Sequence, residues 1–256
     1  MEERERLGDV ALFLSDYAAE LLAVGATSAR VEKNVSRMAG WWGVGAEIAI
    51  FSKHIIMTVT EGVSGETYSI VGKARRRPIS FLRNTQLSRL SWQVVDRRWD
   101  VGVARVRFEE IVSGGHANVW VVLLMASLAN LSFCYLFGGD LWAMVVVFVA
   151  TAVGYCAKIC LSRLGVDVRM VFMMSAFCAT VVGSSCYVFG LGETPEIALG
   201  TSVLYLVPGI PFINSISDLI YGHNMCFVSR LINASVLTVC LSAGFIVGLL
   251  LMRIGL

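Results

Sequence analysis

Histidine is scarce in this 256-residue chain, with three residues at positions 54, 116 and 223. So few, and so far apart, they nearly exclude a histidine-rich metal centre, and no HExxH pattern is present. Charge is also thin. Lys, Arg, Asp and Glu make up 16 % of the chain, against about 25 % in an ordinary soluble domain. The net charge of +2 is too small to point to nucleic acid. Cysteine is absent before position 134, and all seven residues (134, 156, 160, 178, 186, 226, 240) come after it. No cleavable signal peptide is visible: the start carries both charge signs, and Asp16 and Glu20 interrupt the first apolar stretch. In place of charge there are apolar residues, 56 % of the chain with a mean hydropathy of +0.71.

The charges are unevenly placed. Up to His116 there are sixteen Lys or Arg and fourteen Asp or Glu, and beyond it only five of each. This predicts a small α/β domain over 1–115 and a transmembrane domain over 116–256. About 30 Å of hydrocarbon requires about 20 helical residues. Five spans are expected, at about 117–137, 141–160, 171–191, 196–216 and 233–252, the fourth broken by Pro208-Gly209-Ile210-Pro211. Arg97, Arg98, Arg105 and Arg107 precede the first span, Lys158, Arg163 and Arg169 flank the second loop, and Arg230 precedes the fifth span. The opposite loops hold Asp140, Glu193 and Glu196 without a basic residue. By the positive-inside rule the N-terminal domain is cytoplasmic and the C-terminus external, with Arg253 dissenting.

In the polar part, Leu7, Val10, Leu14, Ala18 and Leu21 recur at helical spacing, predicting an amphipathic helix over 4–24 stopped by Gly25. Thr27 or Ser28 can cap a second helix through Ala39 bearing Arg30, Glu32, Lys33 and Arg37. Residues 47–60 read as strand, 61–65 as turn, 67–71 as return strand, and 86–98 as helix. The run Lys73-Ala74-Arg75-Arg76-Arg77-Pro78 reads first as a solvated loop and alternatively as a contact for anionic lipid or substrate. His54 and His116 read as structural. So do the cysteines, as small polarisable packing groups: Cys156 and Cys160 share a face with no further ligand beside them. Gly244 and Gly248 form a small-xxx-small pair suited to close helix contact.

The most specific chemistry lies in the fourth span. Thr194-Pro195-Glu196 is a helix start: a cap, a proline in the first turn, an acid at the positive dipole end. Pro195 to Val207 is roughly 19 Å of helix, which puts the break inside the bilayer. Backbone groups freed there are tolerated only where protein or water satisfies them. A second helical piece is expected from Phe212, with Asn214, Ser217, Asp218 and Tyr221 on one stripe at i, i+3, i+4 and i+7. Its N-terminus can receive a carboxylate, and Asp218 and His223 are the nearby proton carriers. The alternative is a simple kink with Asp218 as a helix-end charge at the inner surface.

Leu206-Val207-Pro208-Gly209-Ile210-Pro211-Phe212-Ile213-Asn214, then Asp218-Leu219, Gly222-His223 and Arg230, resemble one signature of the threonine/serine exporter family. Gly25-Ala26-Thr27-Ser28-Ala29-Arg30-Val31-Glu32 resembles its other hallmark, about 180 residues upstream. The layout is similar to the split form of that family, in which a YjjP-like chain works with a smaller YjjB-like membrane subunit. Phe227 departs from the pattern, where a glycine is expected.

The resemblance implies secondary export of threonine and serine, or of dicarboxylates such as succinate, across a bacterial inner membrane and driven by the proton gradient. Pro208, Gly209, Pro211, Asn214 and Ser217 become substrate-binding candidates. Asp218, His223 and Arg230 become proton-coupling or gating candidates, and Gly25, Thr27, Arg30 and Glu32 a cytoplasmic gate or assembly motif. A homo-oligomer and anionic lipid near the basic segments are further partner candidates. No cofactor, metal or nucleic acid is expected. A membrane hydrolase would need a nucleophile–base pair or metal cluster, which three scattered histidines do not offer. A membrane-anchored metabolite sensor stays open as the non-transport alternative.

Overall fold

A computed structural model of the chain describes residues 2–51, 54–62, 64–74, 77–115 and 118–254. His116, and Arg75 and Arg76 of the basic run, lie outside the described residues. In chain order the elements are α1 (Glu2–Ala23), α2 (Ser28–Trp41), β1 (Val44–Ile50), β2 (His54–Glu61), β3 (Thr67–Lys73), α3 (Phe81–Asp96), α4 (Val101–Ser113), α5 (Val119–Leu136), α6 (Leu141–Arg163), α7 (Val168–Gly183), α8 (Ser185–Phe189), α9 (Pro195–Ser202), α10 (Gly209–Ile220) and α11 (Asn224–Leu251). A 3-10 turn occupies Leu204–Leu206. The chain is mostly helical and forms two compact units. One comprises 1–115 with 209–232, the other 116–208 with 233–256.

In the first unit, β1, β2 and β3 form an antiparallel sheet in that order, with Met57 opposite Ile48 and Ile70 at its centre. The stretch expected as one strand from 47 to 60 is two paired strands, because the chain reverses between Ile50 and His54. Alternation on β2 buries Ile55, Met57 and Val59, which join Phe13, Leu14, Tyr17 and Leu21 of α1 in one core. Tyr17 donates to the Leu87 carbonyl at 2.8 Å and accepts from Asn34 Nδ2 at 3.0 Å, so the buried hydroxyl is satisfied and α1, α2 and α3 are tied together. Buried Glu20 meets Arg77 at 2.9 Å and Arg83 at 3.5 Å. Arg77 of the basic run is therefore an internal ion partner. α4 was not anticipated. It begins at Asp100, whose carboxylate accepts from Val103 N–H at 2.9 Å, and it places Phe108 edge-on to Phe13.

The second unit is apolar outside. Trp120, Leu124, Met125 and Leu128 of α5 are exposed, while Ser127, Thr151, Ser175, Thr180 and Ser184 are fully buried. Asn130 donates to Thr151 Oγ1 at 2.7 Å and to the Thr201 carbonyl at 2.9 Å, joining α5, α6 and α9. Among the described residues, α5, α6, α7 with α8, and α11 are long and apolar enough to cross a membrane; α9 with α10 makes a fifth candidate if its broken halves count as one span. α11 starts at Asn224, nine residues before the expected start at 233, so Arg230 lies inside a helix and not in a loop.

Thr194 precedes Pro195 as expected, but its side chain does not cap α9. The hydroxyl instead accepts from Asp140 N–H at 3.0 Å, and Asp140 in turn accepts from Ala143 N–H at 2.7 Å and Glu193 N–H at 2.6 Å. Those backbone donors, Ala143 first, hold the Asp140 carboxyl below the usual carboxylate range.

Gly244 and Gly248 bring α11 against α7. A Cβ at Gly244 would run into the Met173 carbonyl, and one at Gly248 would lie 2.8 Å from the Thr180 side chain. Gly248→Leu should therefore cost about 1–3 kcal/mol through overpacking. Unfolding of the purified protein in a detergent–SDS titration measures it, and an unchanged midpoint would mean that α7 and α11 do not meet there.

Candidate functional site

The first unit contains nearly all of both motifs. α1 ends at Ala23, and Gly25 takes a left-handed φ of +96°. A side chain there would be strained and would press on Ile79, 3.0 Å from the Cβ position. Past this turn Thr27 caps α2 with its hydroxyl, which accepts from Arg30 N–H at 3.3 Å. The first N–H of the helix, on Ser28, has no intrahelical acceptor. Asp218 supplies one: Oδ1 accepts from Ser28 N–H at 3.0 Å across 190 residues of sequence. A carboxylate at that end also meets the positive pole of the α2 dipole.

Asp218 is completely buried, so its charge must be answered locally. Arg230 Nη1 lies 3.0 Å from Oδ2, a charge contact out of line for a hydrogen bond. Arg230 Nη2 donates to the Ala26 carbonyl at 3.0 Å, and Asn214 Nδ2 donates to the Gly25 carbonyl at 2.9 Å. The turn between α1 and α2 is thereby held by one side chain each from α10 and α11, while Asp218 takes the start of α2. His223 closes the end of α10, its N–H donating to the Asp218 carbonyl at 2.8 Å, and its Nε2 lies 3.4 Å from Glu32 of α2. Cys226 Sγ donates to the Ile50 carbonyl at 3.2 Å. Phe227, the departure from the motif, lies in the first turn of α11 with its N–H on the His223 carbonyl. Ordinary helix geometry there needs no glycine.

The break in the fourth apolar segment is present. α9 gives way to the 3-10 turn, Val207 and Pro208 belong to no helix, and α10 begins at Gly209. The second piece thus starts three residues before the expected Phe212. Pro211 is tolerated because first-turn N–H groups lack intrahelical partners in any case. Pro208 closes one unit and Gly209 opens the other.

The stripe on α10 divides in two. Asn214 and Asp218 engage the α1–α2 turn, whereas Ser217 and Tyr221 face a cleft of about 370 Å³ whose other wall is α2, with Arg30, Lys33 and Arg37. Lys33 and Arg37 were not singled out from the sequence, although Arg30, Lys33 and Arg37 stand at i, i+3 and i+7 and so share one helix face. Each is held by uncharged neighbours. Arg30 Nη1 donates to Asn84 Oδ1 at 3.0 Å, and Arg37 Nη1 donates to Ser91 Oγ at 2.7 Å with its guanidinium 3.7 Å over the Trp92 ring. Lys33 Nζ stands 5.2 Å from the Tyr221 ring centre. Among the described residues, no group of three or more His, Cys, Asp and Glu could hold a metal ion.

Removing Arg230 would strand a buried carboxylate. Arg230→Ala should destabilise the protein by about 3–5 kcal/mol, and the double change Asp218→Leu with Arg230→Met should recover most of that loss. A double-mutant cycle in SDS-titrated micelles reads both. Additive losses would mean the pair is not coupled.

Comparison with known proteins adds an independent line. The family model described as "Putative threonine/serine exporter" (ThrE) matches residues 13–252. A Klebsiella aerogenes protein named "Probable succinate transporter subunit YjjP" is 30 % identical over 90 % of this chain and 88 % of its own length. Its Escherichia coli K12 namesake is 29 % identical over 90 % and 89 %. A Mycobacterium tuberculosis protein named "Probable threonine/serine exporter" is 24 % identical over 77 % of this chain and 36 % of that longer protein. No solved structure matches.

Proposed function

Because the chain belongs to the threonine/serine exporter family, and is thus a membrane transport protein, we propose that it is one subunit of a proton-driven secondary exporter of small dicarboxylates such as succinate. In this reading it sits in a bacterial inner membrane with its first 115 residues cytoplasmic and its C-terminus external. The bent pair α9–α10 counts as the fourth of five spans, and a second, YjjB-like small membrane subunit completes the pathway. The word "subunit" in the names of the two YjjP proteins supports a two-component assembly. Dicarboxylates are favoured over threonine and serine by the three cations on α2 and by the higher identity to the succinate-named relatives.

The observation that carries the proposal is the Asp218–Arg230 contact. Both partners belong to the second motif and each also grips the first, Asp218 at Ser28 N–H and Arg230 at the Ala26 carbonyl, and the pair is one that a proton or a competing anion can undo. Neutralising Asp218 removes the attraction for Arg230 and weakens the acceptor for Ser28 N–H. A substrate carboxylate arriving at Arg230 competes for the same charge. Either event loosens the turn that Ala26 and Gly25 anchor, which makes the pair a latch between the cytoplasmic motif and α10. His223 and Glu32 form a second, more exposed pair between the same elements. Pro208, Gly209 and Pro211 supply the interruption that lets α10 act as a separate half-helix.

Counterflow of labelled succinate and labelled threonine in vesicles, with and without the small partner subunit, tests this. Succinate counterflow is expected only with both subunits and is expected to collapse with a protonophore. Asp218→Asn, which keeps an acceptor for Ser28, should abolish counterflow while the protein remains in the membrane. Undiminished counterflow by that variant would remove Asp218 from the mechanism. Absence of counterflow for every substrate would favour the sensor reading.

A further inference from the structure

We propose that the cleft between α2 and α10 is the loading site for the exported dianion, with Arg30, Lys33 and Arg37 as its charge-recognition row. The proposal rests on the exporter reading for its substrate class, but its physical basis is separate from the Asp218 latch.

Three observations carry it. The first is uncompensated charge. The acids on the two flanking helices are engaged elsewhere, Glu32 with His223 and Asp218 with Arg230. Among the described residues, no carboxylate lies within 4.0 Å of Arg30, Lys33 or Arg37. Three cations on one helix face repel one another unless an anion joins them, so the free cleft is poised for negative charge.

The second is preorganisation. Each guanidinium is braced through Nη1 by neutral groups, Asn84 for Arg30 and Asn34 with Ser91 for Arg37. Arginine carries five N–H donors, so the bracing fixes direction and leaves donors for a ligand. Asn34 is itself buried and bonded to Tyr17, which anchors the row to the core of the first unit. A braced fork loses little entropy when it meets a carboxylate.

The third is size and spacing. About 370 Å³ is at the small end for ligand sites, suited to a compact metabolite. Along a helix, Arg30 to Lys33 spans about 4.5 Å and Lys33 to Arg37 about 6 Å. Two carboxylates of a four-carbon acid are separated on that scale, so one anionic end can sit between each neighbouring pair. The hydroxyls of Thr27, Ser217 and Tyr221 lie around the same cleft and can take remaining carboxylate oxygens. A zwitterionic amino acid would bring its ammonium group into this row and be disfavoured.

The decisive experiment uses the full chain in phosphatidylcholine nanodiscs and follows succinate binding by calorimetry. Trp92 emission, sensitive to the guanidinium stacked on it, serves as a second readout. Succinate is expected to bind. Butyrate, threonine and inorganic phosphate are expected to compete at least tenfold more weakly. Lys33→Gln, whose side chain touches only the Tyr221 ring among the contacts described, should weaken succinate about tenfold or more while the thermal transition stays in place. The triple change of Arg30, Lys33 and Arg37 to glutamine should abolish binding.

Unaltered succinate binding by Lys33→Gln and the triple variant would overturn the proposal. So would loss of the succinate signal when phosphatidylglycerol replaces phosphatidylcholine, since the row would then be reading a lipid headgroup. Counterflow separates the two readings. If wild-type vesicles move succinate but the triple variant binds it normally, the loading site is wrong and the exporter stands. If charge-dependent binding is seen without counterflow in any combination of subunits, the exporter is wrong and the anion site stands.

Discussion

A carboxylate buried away from water has to be answered by positive charge and by donors, and Asp218 finds both in a segment 190 residues upstream. One oxygen takes the unpaired first N–H of α2 and the other faces Arg230. Since Arg230 also holds the Ala26 carbonyl and Asn214 holds Gly25, the turn between α1 and α2 is fixed by groups outside its own neighbourhood. The direction in which α2 leaves that turn decides where its charged face lies. A buried ion pair of this kind is weak as a source of net stability, but it punishes any arrangement that leaves either partner alone.

The two units solve opposite solvation problems. In the first, alternation on β2 and the 3.6-residue period of α1 put Ile55, Met57, Phe13 and Tyr17 inside, and the buried carboxylates, Glu20 and Asp218, meet arginines. In the second, large apolar side chains such as Trp120 and Leu124 face outward while serines, threonines and Asn130 are enclosed. Two of these enclosed hydroxyls bond back to the preceding turn, Thr180 to the Ala176 carbonyl and Ser184 to the Thr180 carbonyl, and Thr151 accepts from Asn130. Small residues of this kind let the helices approach closely.

Much of this was legible from the chain because it rests on local periodicity. The amphipathic α1, the Gly25 stop, the Thr27 cap, the apolar segments and the interruption at Pro208 each follow from a few neighbouring residues. What escaped has a common cause. α4 has no strong apolar period of its own and is positioned by Phe108 docking on Phe13. α11 reaches back to Asn224 because Arg230, which reads as a loop charge, has a buried partner. Thr194 turns from its own helix to Asp140 because another chain segment supplies a backbone donor. Arg30, Lys33 and Arg37 had the spacing of one face, yet a basic helix face ordinarily just meets solvent, and nothing in one helix reveals an opposing wall.

Sequence by itself determined the kinds of residue at each motif, the division between a charged region and an apolar one, and the places where a helix had to stop. These are consequences of backbone sterics and of apolar periodicity, which act over a handful of residues. Only the tertiary structure decided that Asp218 answers Ser28 and Arg230, and that the polar stripe of α10 splits between the α1–α2 turn and a cleft. Pairings of that kind are set by which charges are buried together, and burial is a property of the packed chain.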